Sequence, residues 1–137
     1  MTKCMAFKHK SLNLKNEKIL VYTAMSKHLF YYRMHISKYV IERHKVPLNP
    51  FMIFDYFLLD SVDRDLIREG NNNLVKRADE LWVFGKVSNG VLAEIKIAKE
   101  LNKIIKYFKI SKPHKIVSIS KDKVGMEDEV AKFKKEL

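Results

Sequence analysis

Short apolar runs rich in β-branched and aromatic residues alternate along the chain with longer segments of helical periodicity, and this alternation limits the possible folds most. The runs that predict buried strands are 18–23, 46–48, 80–84, 103–108 and, as a short fifth strand, 116–119. The segments that predict helices are 26–44, 63–77, 88–101 and 126–137, whereas 51–60 is compatible with a helix or a buried loop. Strands alternating with helices of about ten residues or more predict parallel βαβ units, with helices on both faces of the sheet.

Length and composition narrow the class of protein further. The 137 residues suit one domain at 18–137, preceded by a polar, basic arm at 1–17. The lone Cys4 cannot form an internal disulfide, and no apolar run approaches the roughly 20 residues of a membrane span. We therefore expect a soluble, cytoplasmic protein with no membrane association.

The net charge of +11 has two interpretations. It attracts an anionic partner, either a nucleic acid or a small phosphorylated metabolite, or it reflects a lysine-rich solvated surface. No basic stripe with interleaved aromatic residues is present, and no recognition-helix or zinc-finger spacing occurs. Nucleic-acid binding is therefore unsupported by the sequence.

The segment after the third predicted strand carries the most specific chemistry. Ligands of such folds bind beyond the carboxyl ends of the strands. There, Ser88 is placed to cap a helix, Gly90 admits a ligand to the first turn, and the free N–H groups favour an anion. Glu94 follows Gly90 by four residues, so both lie on one helix face. On spacing alone, an ordinary helix cap at Ser88 and an ordinary early-helix glutamate at Glu94 are the favoured interpretation.

The run Ser-x-Gly-x-x-x-Glu at 88–94, directly after a strand, resembles the signature of the nucleoside 2-deoxyribosyltransferase superfamily, which includes nucleotide N-glycoside hydrolases. Ala78-Asp79 before the Leu-Trp-Val-Phe strand is similar to the family's Ala-Asp, and the segments 21–24 and 47–50 are similar to its first and second strand regions. The resemblance covers roughly 18–110. It implies a flavodoxin-like three-layer α/β/α fold with a four- or five-stranded parallel sheet.

The resemblance also implies a reaction that needs no cofactor. Glu94 would attack C1′ of a nucleoside or nucleoside 5′-monophosphate and expel the base, and water or a second base would resolve the glycosyl-enzyme. Ser88 matches the position that contacts the 5′-phosphate in phosphate-using relatives. The expected substrate-binding residues are Thr23, Ala24, Met25, Ser26, Lys27, Asn49, Phe51, Ser88, Asn89 and Gly90. The expected partners are a small nucleoside or nucleotide and further copies of the chain, as a homodimer or larger homo-oligomer.

Two features depart from the family pattern. Asn71 stands where relatives carry an aspartate that helps the base to leave; an amide forms hydrogen bonds but is no general acid. Asp65 is a substitute if the helix register differs. The loop at 24–27 has no glycine to admit a phosphate. Both departures favour an alternative function, a non-catalytic nucleotide-binding or protein-interaction module on the same fold.

Other reactive or aromatic residues point less clearly to a site. His28, His35 and His44 lack the four-residue spacing of a helical metal pair, so we predict no metal site. An aromatic group follows the second predicted strand and suits either a base-stacking wall or core and dimer contacts. It consists of Phe51, Phe54, Tyr56 and Phe57.

Overall fold

The computed structural model describes residues 5–54, 61–111 and 115–137. Its sheet has five strands in the order β2-β1-β3-β4-β5. They are β1 (Leu20–Met25), β2 (Val46–Leu48), β3 (Glu80–Phe84), β4 (Ile104–Ser111) and β5 (Lys115–Ile119). The first four are parallel. This is the flavodoxin-like strand order, so the predicted fold class is confirmed.

The fifth strand runs antiparallel to its neighbour β4, with Tyr107 opposite Ile119. Only residues 112–114 separate the two strands, and a parallel connection needs a crossover of about a dozen residues or more. The all-parallel prediction therefore holds for β1 to β4, and β5 returns along the edge of the sheet.

Four α-helices of the described residues connect and flank the strands. They are α1 (Arg33–Glu42), α2 (Pro50–Ile53), α3 (Arg64–Arg77) and α4 (Asn89–Glu100). Asp63 and Ser88 cap α3 and α4, since each side chain accepts a backbone N–H of the first turn. The predicted boundaries of these two helices agree with the structure to within a residue.

Two predicted helices are wholly or partly 3-10 in form. The predicted helix at 26–44 begins with a 3-10 segment (Lys27–Tyr32) before α1. In it, Leu29 and Tyr32 both pack against the core, and their three-residue spacing matches the 3-10 period. The predicted C-terminal helix at 126–137 is a 3-10 segment too (Asp128–Glu136).

The core lies on both faces of the sheet because strand side chains alternate in direction. One face packs Val21, Trp82 and Phe84 against Ile36 and Val40 of α1. The other face packs against α3, α4 and the C-terminal segment. Its strand and helix members include Tyr22, Leu81, Val83, Val75, Ile95 and Ala98. On this second face, the start of α4 lies near the carboxyl ends of β1 and β3.

The basic N-terminal segment makes little contact with this core. Residues 5–17 are exposed and contain one 3-10 turn (Lys10–Asn13). Within 5–54, 61–111 and 115–137, no helix combines the length and apolar composition needed to cross a bilayer.

Candidate functional site

A cavity of about 430 Å³ lies beyond the carboxyl ends of β1 and β3. Its walls come from the segment after β1, from α2, from α3, from the start of α4 and from the C-terminal segment. A volume of this size suits a small organic ligand. The cavity is therefore at the place where parallel α/β folds bind their ligands.

Glu94 reaches this cavity from the second turn of α4 and contacts the first strand. The hydroxyl of Tyr22, a fully buried residue of β1, donates a hydrogen bond to Glu94 Oε2. Burial raises the pKa of Glu94 from 4.5 to about 7, although the hydrogen bond from Tyr22 lowers it in part. Near neutral pH, the carboxyl group thus exists in both protonation states.

The Tyr22 hydroxyl keeps its proton near neutral pH and therefore remains a hydrogen-bond donor to Glu94. Burial, and to a lesser extent the neighbouring carboxylate of Glu94, raises the pKa of Tyr22 well above its usual value. The phenol therefore holds its proton and fixes one oxygen of Glu94. The other carboxylate oxygen has no hydrogen-bond donor among the described residues.

The start of α4 forms the part of the cavity that is suited to an anion. Ser88 Oγ accepts the N–H of Val91 at 3.3 Å, and the Ser88 carbonyl accepts the N–H of Leu92 at 2.9 Å. The preceding N–H groups, of Asn89 and Gly90, have no helical carbonyl to bond, and they add to the positive end of the helix dipole. No atom would lie within 4 Å of a Cβ at Gly90, so this surface is open to a ligand.

The segment after β1 faces the same end of the cavity. Ser26 is 4% exposed, and its Oγ accepts the N–H of His28 at 3.4 Å. Lys27 is exposed and brings a positive charge to the lining. The loop lacks glycine, yet Ser26 and Lys27 still offer a hydroxyl and an ammonium group to an anion.

Helix α3 forms the opposite wall. Arg64, Arg68 and Asn71 recur at four- and three-residue spacing, so one face of the helix brings all three to the cavity. Asn71 Oδ1 is buried and has no hydrogen-bond partner among the described residues. The ring of Phe54 packs over Gly70, where a Cβ would lie 2.7 Å from Phe54 Cζ. The glycine in mid-helix thus gives this aromatic ring its place in the cavity wall.

The C-terminal segment completes the rim. Val87 N–H donates to the Gly125 carbonyl and Glu127 N–H donates to the Val87 carbonyl, both at 2.9 Å, in a parallel bridge between Val87 and Met126. Glu127 and Glu129 consequently line the cavity. A more open groove of about 710 Å³ continues from this rim, past Ser26 and Lys27.

Most residues that the sequence singled out meet in the cavity. Those that line it are Met25, Ser26, Lys27, Phe51, Asn71, Ser88, Asn89, Gly90 and Glu94.

Three predicted binding residues lie outside the lining. Thr23 and Ala24 are fully buried within β1, because the strand extends to Met25 and keeps both in the sheet. Asn49 is 2% exposed, and its side-chain amide forms hydrogen bonds with other residues of the fold. It accepts the N–H of Phe51 at 3.1 Å and donates to Ser37 Oγ at 3.2 Å, which ties the start of α2 to α1.

Sequence reasoning overlooked several residues of the site. The spacing of Arg64, Arg68 and Asn71 on one predicted helix was an available signal. Tyr22 had a weaker signal, as a residue with a polar tip inside an otherwise apolar strand. Nothing in the sequence pairs Glu127 and Glu129 with the site, because their position depends on the bridge at Val87.

A metal centre finds no support in the described part of the chain. Across residues 5–54, 61–111 and 115–137, no group of three or more His, Cys, Asp or Glu side chains is arranged to hold a metal ion. Tyr56 and Phe57, two members of the aromatic group that follows the second strand, lie outside the described residues.

Comparison with known proteins finds a structure of related fold and a matching sequence family. Among the solved structures that match it is a 2-desoxiribosyltransferase from Leishmania mexicana, with a TM-score of 0.53 and 18% sequence identity. The match covers 68% of this chain and 65% of that one, so this chain spans about two-thirds of its length. At this identity, the likeness shows a related fold.

Comparison by sequence is less informative about activity. No curated protein matches the chain significantly. A family profile described as "Domain of unknown function (DUF7768)" matches residues 21–108, which is more than half of the chain and runs from β1 into β4. The protein therefore belongs to the DUF7768 family, a family of unknown function.

Proposed function

We propose that this protein cleaves the N-glycosidic bond of a nucleoside or nucleoside 5′-monophosphate, by hydrolysis or by transfer of the sugar to a second base. The observation that carries the proposal is the Glu94 carboxylate, which faces a cavity beside the start of α4 and is held by Tyr22. The likeness in fold to a 2-desoxiribosyltransferase supports it.

In this proposal, Glu94 is the nucleophile. Its free oxygen attacks C1′, the bond from C1′ to the base breaks, and a glycosyl ester forms on the enzyme. Tyr22 holds the other oxygen, so the attacking atom is oriented before the substrate binds. Water or an incoming base then attacks C1′ and releases the carboxylate.

The phosphate of a nucleotide substrate would lie at the start of α4. The N–H groups of Asn89 and Gly90, the hydroxyl of Ser26 and the ammonium group of Lys27 all supply hydrogen-bond donors to this end of the cavity. These donors favour a 5′-monophosphate over the corresponding nucleoside.

The base would lie against the opposite wall. Phe51 and Phe54 offer aromatic surface, and the Asn71 side chain lines the same wall with an amide that can form hydrogen bonds. This arrangement leaves the sugar between the phosphate end and the base end, within reach of Glu94.

The direct test is release of free base from a panel of ribo- and deoxyribonucleosides and their 5′-monophosphates. Base release should be abolished in Glu94→Gln, which keeps the size and hydrogen-bonding capacity of the side chain. Glu100→Gln is the matched control, because Glu100 ends the same helix, is exposed and lies outside the cavity. Unchanged base release in Glu94→Gln would exclude Glu94 as the nucleophile.

One alternative is a non-catalytic module that binds nucleotides or proteins. Asn71 favours it, because an amide cannot protonate a departing base. The same panel distinguishes the two. Absence of base release, together with a rise in melting temperature on addition of a nucleotide, supports the module and contradicts the enzyme.

Assembly and domain organisation are part of the proposal. We propose a homo-oligomer in which α1 contributes to the interface, since Tyr31, Met34 and Ile41 near and on this helix are exposed. Light scattering coupled to size-exclusion chromatography tests this, and a monomer at all concentrations contradicts it. Deletion of residues 1–17 should leave the domain at 18–137 folded, as judged by an unchanged melting temperature.

A further inference from the structure

The cavity opens, at its phosphate end, into a second space. This is the groove of about 710 Å³ that continues from the rim. The residues that line both spaces are Ser26, Lys27, Glu127 and Glu129. Ser26 and Lys27 are among the donors that would hold the phosphate of a nucleotide. A phosphate bound there lies at the junction, so a group attached to its outer oxygens would extend into the groove.

One side of the groove carries ammonium groups. Lys27 comes from the segment after β1, and Lys86 comes from the turn after β3. Lys86 is exposed and lines the groove but not the cavity. A Cβ at Gly125 would lie 3.2 Å from Lys86 Cγ, so the glycine leaves room for the lysine stem against the C-terminal segment. Two ammonium groups along one groove suit two successive phosphates.

The other side of the groove carries carboxylates. Glu127, Asp128 and Glu129 line it, and the bridge between Val87 and Met126 holds this segment beside the turn after β3. Carboxylates repel phosphate, but they accept hydrogen bonds from sugar hydroxyls, as acidic residues do from ribose in dinucleotide sites. The groove thus offers cations for a diphosphate and acceptors for a hydroxyl-rich group beyond it.

From this arrangement we infer that the substrate is a nucleoside 5′-diphosphate that carries a second sugar, as a nucleotide sugar or a dinucleotide. The inference rests on the proposed glycosidase function and narrows its substrate class. The first phosphate lies at the start of α4 beside Lys27, and the second lies between Lys27 and Lys86. The second sugar lies against the carboxylates of the C-terminal segment.

The sizes of the two spaces agree with this division of the substrate. The cavity of about 430 Å³ takes the nucleoside, and the groove of about 710 Å³ is large enough for a second sugar with or without its own base. A 5′-monophosphate would use only the contacts of the cavity. The additional contacts in the groove therefore favour the extended compound.

The diphosphate takes no covalent part in the reaction. The bond from C1′ to the base breaks as proposed above, and both phosphates with the second sugar stay on the sugar product. The groove contacts are remote from C1′, so their binding energy serves to position the substrate against Glu94.

The test compares compounds that share one base and differ beyond the first phosphate. For adenine they are adenosine 5′-monophosphate, adenosine 5′-diphosphate and adenosine diphosphate ribose; for uracil they end with uridine diphosphate glucose. We expect kcat/KM for base release to be about tenfold higher or more for the compound with the second sugar than for the monophosphate. A further gain with diadenosine 5′,5′-diphosphate indicates a dinucleotide, and no further gain indicates a nucleotide sugar.

Two variants test the assigned contacts. Lys86→Gln keeps the stem beside Gly125 and removes the ammonium group, so kcat/KM should fall about fivefold or more for the diphosphates and stay level for the monophosphate. Lys38→Gln, an equal change of charge on the exposed side of α1, should affect none of the compounds. Asp128→Ala should lower kcat/KM for the compound with the second sugar and not for the plain diphosphate. Equal losses for all compounds in Lys86→Gln would overturn the inference.

The failure of the inference and that of the glycosidase function are distinguishable. Base release at equal or lower kcat/KM for the extended compounds overturns the inference while the glycosidase function stands. If no compound releases its base, the glycosidase function falls, and calorimetry then decides the occupant of the groove. A Kd about tenfold lower for adenosine diphosphate ribose than for the monophosphate would still support the assigned contacts, and equal Kd values would remove both.

Discussion

The hydroxyl of Tyr22 on β1 donates a hydrogen bond to the carboxyl group of Glu94 on α4, 72 residues further along the chain. This contact joins the interior of the sheet to the cavity. The side chain at the centre of the proposed chemistry is thus oriented by a core residue rather than by a loop, and the contact leads directly to the first prediction.

Tyr22→Phe should move the pH dependence of activity to higher pH. The Tyr22 hydroxyl lowers the pKa of Glu94, so its loss allows burial to raise that pKa above about 7. We expect the midpoint of kcat/KM against pH to rise, with the largest loss of activity at pH 6 and partial recovery at pH 8.5. Tyr107→Phe, a change at another buried tyrosine that does not line the cavity, should leave the midpoint unchanged.

Glu94→Gln should stabilise the fold above pH 5. The pKa of Glu94 is about 7 in the folded chain against an ordinary value of 4.5. Between these values the unfolded chain releases the proton first, so stability falls as pH rises and stays low above pH 7. The amide removes this loss, which amounts to roughly 3 kcal/mol at pH 8.

Thermal or urea unfolding at pH 4, 6 and 8 measures this effect. The difference between Glu94→Gln and the unaltered protein should grow with pH, whereas Glu100→Gln should show no such trend. A difference that is constant over this range would contradict a raised pKa of Glu94.

Gly90→Ala should separate binding from stability. A Cβ at this position meets no atom within 4 Å, so the substitution should preserve or raise stability by up to about 1 kcal/mol. The methyl group nevertheless enters the surface at which a phosphate would approach the helix, so KM or Kd for a 5′-monophosphate should rise tenfold or more.

Gly85→Ala provides the contrast. Gly85 has a φ of +75°, and its Cβ would lie 2.7 Å from Leu29 Cδ1, so this variant should lose stability. Equal melting temperatures for the two variants would argue against these local geometries.

Ser88→Asp should change the preference between nucleotides and nucleosides. Aspartate can replace Ser88 Oγ as the acceptor for the Val91 N–H, so the helix cap and the stability should be kept. Its charge would repel a phosphate at the start of α4. We expect kcat/KM for a 5′-monophosphate to fall at least tenfold more than that for the nucleoside. Ser88→Ala should instead cost about 1 kcal/mol of stability through loss of the cap.

The elements next to the site were predictable from local chemistry. Asp63 and Ser88 indicate where α3 and α4 begin, because a side-chain acceptor before an amphipathic segment is typical of a helix N-terminus. The five residues of β3 are all buried, which explains why their apolar run defines the strand so clearly. The direction of β5 was also available, because the predicted strands 103–108 and 116–119 are too close for the crossover that a parallel pair needs.

The remaining features depend on tertiary packing. The contact between Tyr22 and Glu94 requires the register of α4 on the sheet, which no local spacing determines. The interior position of Asn49 similarly follows from its bonds to α1 and α2, although its place after a strand indicated a ligand contact. The unpaired oxygen of Asn71 becomes visible only once its neighbours are in place.

The bridge between Val87 and Met126 separates the rim of the cavity from the rest of the site. It holds the segment that carries Glu127 and Glu129, whereas the other described lining residues lie at or before residue 94. Local opening of this bridge would therefore widen the mouth of the cavity while the sheet and the contact between Tyr22 and Glu94 stay intact.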